Sequence, residues 1–242
     1  LSCTLSWMAT KRDSRIKAAT FFTSLVDFRD PGELGVFIDE EQLAAIEAQM
    51  AKRGYLEGAE MANTFNLLRA NDLIWSFVIN NYLMGKDPFP FDLLYWNSDS
   101  TRMPAAMHGF YLRKFYHENR LMQPGGICLD GVPIDLRRLK LPVYWVSTRE
   151  DHIAPWKSTY AATQIYQGQK RFVLAGSGHI AGIVNPPASG KYGYWTNEDL
   201  PEDPEAWLAA AQHHEGSWWT DWSAWNAERA GPMVEARKPG SG

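Results

Sequence analysis

The sequence predicts an α/β fold in which a parallel sheet is covered on both faces, and three observations carry that prediction. Val143 to Ser147 and Arg171 to Ala175 are short, almost unbroken apolar runs. A sheet buried on both faces requires such runs, whereas a half-solvated antiparallel strand alternates. Between them, Lys157 to Gln167 places apolar and aromatic residues at helical spacing, enough for the crossover that joins two parallel strands. Asp151 follows the first run and His179 the second, so each belongs beyond the carboxyl end of a neighbouring strand. In an open α/β sheet that edge is where ligands bind and chemistry occurs.

An acid on one such loop and a histidine on the next match the last two members of the nucleophile, acid, histidine order of an α/β-hydrolase. The acid would orient the imidazole and fix its tautomer; the imidazole would take the proton of a Ser or Cys nucleophile. Solvated loop residues are the ordinary alternative for an Asp and a His. The small residues Gly176, Ser177, Gly178 and Gly182 favour the catalytic reading, since they are expected to keep the backbone thin around the imidazole.

Taken in order, Leu1 to Ala9 reads as a mostly apolar helix without a capping signal and Ile16 to Val26 as a strand. Cys3 lacks the flanking glycines of a nucleophile turn and reads as a small buried hydrophobe. Asp27 follows a strand and is not assigned to the site. Asp39 caps a helix with Glu40 and Glu41 in its first turn and Gly54 past its end. Ala62 to Arg69 and Leu73 to Leu83 continue a helical insertion. Asp92 to Trp96 leads the chain back toward the sheet, and Tyr95, Trp96, Asn97 and Asp99, just beyond an apolar run, suit either an acyl pocket or core packing. His108 and His117 fall on a predicted helix from Ala105 to Arg120, among solvated residues, and read as non-catalytic. Cys128 reads as structural, in a turn. His152, beside Asp151, faces either the substrate approach or solvent.

After His179, a loop-rich segment leads to a predicted helix from Pro204 to His213, with Asp203 as cap. His213 and His214 read as surface or packing residues, since no acidic or cysteine partner stands at ligand spacing. Four tryptophans between Trp218 and Trp225 predict a C-terminal helix docked through its indoles. Residues 230–242, rich in Gly, Pro and charge, read as a flexible tail.

At 242 residues the chain is long enough for one α/β domain with a sizeable core. Its net charge of −4 makes no case for nucleic acid or an acidic membrane surface as a partner. Two distant cysteines point to a reducing compartment without disulfides, and no apolar run reaches membrane-spanning length, so the expected location is cytoplasmic. Nothing in the sequence calls for a metal or a cofactor.

Four stretches carry a family resemblance. REDHIAPW (Arg149 to Trp156), GSGHIAGIVNPP (Gly176 to Pro187), ANTFNLLRANDLIW (Ala62 to Trp75) and PFDLLYWNSDST (Pro90 to Thr101) resemble the catalytic domain of polyhydroxyalkanoate synthases. These enzymes polymerise hydroxyacyl-CoA thioesters on a cysteine of an α/β-hydrolase-like fold. The resemblance runs to about Trp225 and implies that Asp151 is the acid and His179 the base. It implies a parallel sheet with a helical cap (lid) over about residues 30–90, within a partial catalytic domain of residues 1–229. It also implies His152, Tyr95 and Trp96 as substrate-side residues, and short (R)-3-hydroxyacyl-CoA, such as 3-hydroxybutyryl-CoA, as substrate with CoA as a product. A polymer granule surface and a second copy of the chain are the implied partners. The glycine-rich cysteine box and the first strands are expected a few residues ahead of Leu1, so the chain alone is expected to be inert. Two other readings remain open: a non-catalytic domain that binds granules, and a thioesterase or esterase.

Overall fold

The five strands β1 (Ala19–Phe22), β2 (Val143–Thr148), β3 (Lys170–Ala175), β4 (Tyr194–Thr196) and β5 (Gln212–His214) hydrogen-bond in that order into one sheet. This computed structural model describes residues 1–68, 70–88, 95–96, 99–238 and 240. The first three strands are parallel, as the apolar runs predict, with Phe21 opposite Trp145 and Trp145 opposite Phe172. The last two are antiparallel, so the sheet is mixed.

Every residue of β2 is buried. Alternation along a strand sends successive side chains to opposite faces, which explains how one apolar run serves two layers. Tyr144 and Val146 pack with Val173, Ala175 and Tyr194 against Trp218 and Trp225, at the C-terminal helix Trp219–Ala227. On the other face Trp145 stacks on Phe21, centroids 6.0 Å apart, and meets Tyr166 at 5.1 Å. Phe172 lies 5.0 Å from both Tyr160 and Trp207. Each fully buried apolar side chain of this size contributes roughly 1.5–3 kcal/mol.

Several expected elements change length or kind. β1 is shorter than Ile16 to Val26: only Ala19–Phe22 follows the ladder, and the chain turns at Thr23 (φ 40°). The crossover helix ends at Tyr160 and tightens into a 3₁₀ turn over Ala161–Gln164. The helix begun at Pro204 stops at Ala209, capped by Asp203 as expected, and His213 and His214 belong to β5 instead. Their rings pair across the strands, His214 stacked on Tyr194 and His213 against Trp195, each at 4.8 Å. Such cross-strand contacts outweigh a helical preference that only neighbouring residues would support. Cys128 is exposed, in a short hairpin where Ile127 and Val132 turn inward and it turns out.

The chain divides into two compact units, Leu1–Asp30 with Leu121–Gly242, which holds this sheet, and Pro31–Arg120. In the latter, Asp39 accepts a hydrogen bond from the Gln42 amide at 2.8 Å and starts the helix Glu40–Arg53, which Gly54 ends at φ 83°. A second helix spans Gly58–Leu68; π-type turns follow at Asn71–Trp75 and Val78–Leu83, and Arg69 lies outside the described residues. The helix Ala105–Tyr111 continues as a π-type turn to His117, and its Arg113 pairs with Glu47 and Glu40. His108 is buried here rather than solvated. It shares a stripe with Leu112 and Tyr116 at four-residue steps, the spacing of one helix face.

Candidate active site

β2 ends at Thr148 and β3 at Ala175, and the loops that leave them stay tied together. Arg149 N–H donates to the Ala175 carbonyl at 2.9 Å and Glu150 N–H to the Ser177 carbonyl at 3.1 Å. This pairing carries Asp151 and His179 beyond the strand ends side by side, 28 residues apart in sequence. His179 Nδ1 lies 2.7 Å from Asp151 Oδ2.

The carboxylate is held on its other side as well. Oδ1 accepts the backbone N–H groups of Ile153 at 2.8 Å and Ala154 at 2.9 Å, so Oδ2 is left facing the imidazole. The Thr148 hydroxyl approaches Oδ2 at 3.4 Å. The Asp151 side chain is fully buried, whereas that of His179 keeps 31% of its surface exposed. With Nδ1–H donated to the acid, the neutral ring carries its lone pair on Nε2. Among the described residues Nε2 has no hydrogen-bond partner. A base held in one tautomer, with its other nitrogen unpartnered among the described residues, can accept a proton from a hydroxyl, a thiol or water.

The small residues after β3 let the loop fold tightly against its surroundings. A Cβ on Gly182 would stand 2.4 Å from Thr148 Cγ2 and 2.5 Å from the Gly176 carbonyl oxygen. On Gly176 it would stand 2.8 Å from the Tyr192 carbonyl oxygen, whereas Gly178 has no such neighbour closer than 3.9 Å. Ser177 takes the left-handed conformation at φ 73°.

The C-terminal segment clamps the same loop. Trp218 Nε1–H donates to the Gly182 carbonyl at 2.9 Å and Trp219 Nε1–H to the Ile183 carbonyl at 2.8 Å. The Ser217 hydroxyl donates to the Asn185 carbonyl. These positioning residues escape the sequence reading, which treats the tryptophans as docking surface. The signal for them was their density, one indole every two or three residues, in a segment that also holds polar side chains.

Other candidates fall elsewhere. His152 is half-buried beside the acid. Tyr95 and Trp96 belong to the helical unit and are 87% and 64% exposed, and Asn97 lies outside the described residues. Cys3 is partly buried, and burial pushes its thiol up, opposite to the shift that activates a nucleophile. Asp27 is buried and paired with Arg29 at 2.6 Å. Among the described residues no cluster of His, Cys, Asp and Glu could hold a metal ion. No helix among them is long and apolar enough to cross a membrane.

An acid–histidine pair beyond the ends of two parallel strands is the arrangement of the α/β-hydrolases, and the family model described as alpha/beta hydrolase fold matches residues 2–186. The chain belongs to that family. Within it, the chain is a homologue of poly(3-hydroxyalkanoate) polymerases. It is 52% identical over 240 residues to the Poly(3-hydroxyalkanoate) polymerase subunit PhaC of Rhizobium meliloti, covering 99% of this chain and 39% of that protein. It is 53% identical over 243 residues to the Poly(3-hydroxyalkanoate) polymerase of Methylorubrum extorquens, covering 100% and 40%. To the Poly(3-hydroxyalkanoate) polymerase subunit PhaC of Cupriavidus necator it is 47% identical over 236 residues, covering 96% and 40%. The chain thus spans about 40% of the length of these relatives.

Proposed function

We propose that this chain supplies the acid and base of a covalent acyl transfer that polymerises (R)-3-hydroxyacyl-CoA thioesters and releases CoA. The observation that carries the reading is the 2.7 Å bond from His179 to a buried, doubly anchored Asp151, with Nε2 left open. The identity to proteins named as poly(3-hydroxyalkanoate) polymerases supports this substrate class.

In this reading Nε2 of His179 takes the proton of a cysteine thiol, and the Asp151 carboxylate stabilises the imidazolium that results. The thiolate forms a C–S bond to the acyl carbonyl, and the CoA thiolate leaves with the proton from Nε2. The hydroxyl of another hydroxyacyl unit then gives its proton to Nε2 and attacks the enzyme thioester, so an ester forms and the cysteine thiolate departs. The nucleophile is a cysteine in sequence ahead of Leu1; neither Cys3, with its raised thiol, nor Cys128, on an exposed hairpin, suits the role. His152, Tyr95 and Trp96 serve substrate binding, short acyl chains such as 3-hydroxybutyryl are preferred, and a homodimer works at a polymer granule surface.

The test is covalent. A longer protein with a glycine-flanked cysteine ahead of Leu1, mixed briefly with 3-hydroxybutyryl-CoA, should gain the mass of hydroxybutyryl units on that cysteine. The chain as written should gain none. Acylation of Cys3 would move the nucleophile, and hydrolysis without oligomer growth would make the protein a thioesterase.

A further inference from the structure

The helical unit holds a cavity of about 610 Å³ that the acyl-transfer reading does not use. Its size falls in the range of small-molecule sites. The wall is largely apolar, with Phe37, Leu43, Ile46, Leu56, Met61 and Phe65 among its side chains. Its polar side chains are mostly occupied with each other or with backbone. The Gln49 amide donates to Glu60, the Thr64 hydroxyl to the Glu60 carbonyl, and Tyr116 bonds to Tyr111.

His108 is the exception. Its ring lines the cavity, only 5% of the residue is exposed, and among the described residues Nδ1 has no hydrogen-bond partner. An unpaired buried polar atom is costly, and each instance in a native fold calls for an explanation. A lone water is a poor one, because a buried water needs two to four polar partners and this wall offers few. Burial lowers the imidazole's affinity for a proton, so the ring is neutral near pH 7, and Glu60, which lines the same space, is paired with Arg53 at 3.3 Å. A neutral ring beside an already paired carboxylate offers an anionic head group no counter-charge.

We propose that this cavity binds an aliphatic chain carrying a neutral ester or hydroxyl oxygen, with that oxygen hydrogen-bonded to His108 Nδ1. The cavity wall supplies the apolar area, and the imidazole supplies the single polar contact that sets the position of the oxygen. A neutral imidazole donates to an ester carbonyl in one tautomer and accepts from a hydroxyl in the other. The site stands independently of Asp151 and His179.

The probes are methyl octanoate, 1-octanol and octanoate, titrated into the full chain while the side-chain ¹⁵N signals of His108 are followed. At least one of the two neutral probes should bind saturably and shift Nδ1, with octanoate about tenfold weaker or worse. His108→Phe, which keeps a ring of similar size and removes the unpaired nitrogen, should melt no lower than the wild type and weaken the neutral probe about tenfold, the effect of one lost hydrogen bond. Thr64→Trp, which fills the cavity from another helix, should abolish binding. No saturable binding to the wild type, octanoate binding as tightly as the ester, or affinity unchanged in both variants would each overturn the proposal. Should a variant fail to fold, the wild-type Nδ1 shift decides alone.

Discussion

Asp151 cannot turn away from His179, because two backbone amides fix one oxygen and the imidazole takes the other. The histidine side depends on Gly182, whose missing Cβ admits the Thr148 methyl and the Gly176 carbonyl oxygen. Gly182→Ala should therefore destabilise the protein by about 1–3 kcal/mol through overpacking, read as a lowered melting temperature. Turnover of the longer protein should fall with it, as the loop bearing His179 shifts; an unchanged melt would show that the loop gives way freely. Asp151 and His179 were legible because each follows a strong apolar run. The amides of Ile153 and Ala154 were not, since any residue carries an N–H and only the turn geometry aims it.

The C-terminal helix is more than a plug for one face of the sheet. Its indoles enter the core beside Tyr144 while Trp218 and Trp219 hold the histidine loop by its carbonyls. Trp218→Phe keeps most of the ring and removes the donor, so it should cost about 1–3 kcal/mol. The urea midpoint should drop at an unchanged slope, the sign that stability and not compactness has changed. In the helical unit, burial holds the pKa of His108 below the ordinary value of about 6.5. The unfolded chain thus takes up a proton that the folded one refuses, so stability is full above about pH 6.5 and declines as pH falls from there toward the folded value. Melts of the wild type and His108→Phe should diverge from pH 7 to 5, the variant losing less; parallel curves would contradict the burial argument. The parallel strands β2 and β3 were readable from their nearly unbroken apolar runs. β4 and β5, three residues each, were not, because what stabilises them is the pairing of Tyr194 with His214 and Trp195 with His213 across the strands.

At the scale of the whole molecule, β1 has a strand partner on one side only among the described residues, and Phe22 at its end is half exposed. An uncovered edge recruits other strands, so light scattering of the 242-residue chain should show association that rises with concentration. A longer protein whose added strands cover this edge should not show it. The central claim is that Asp151 and His179 act together as acid and base of acyl transfer. Its most direct test is CoA release from 3-hydroxybutyryl-CoA by the longer protein, comparing wild type with Asp151→Asn and His179→Ala at matched folding. Each variant should lose about three to four orders of magnitude in turnover while melting as a folded protein. Turnover within tenfold of wild type in either variant would contradict the claim.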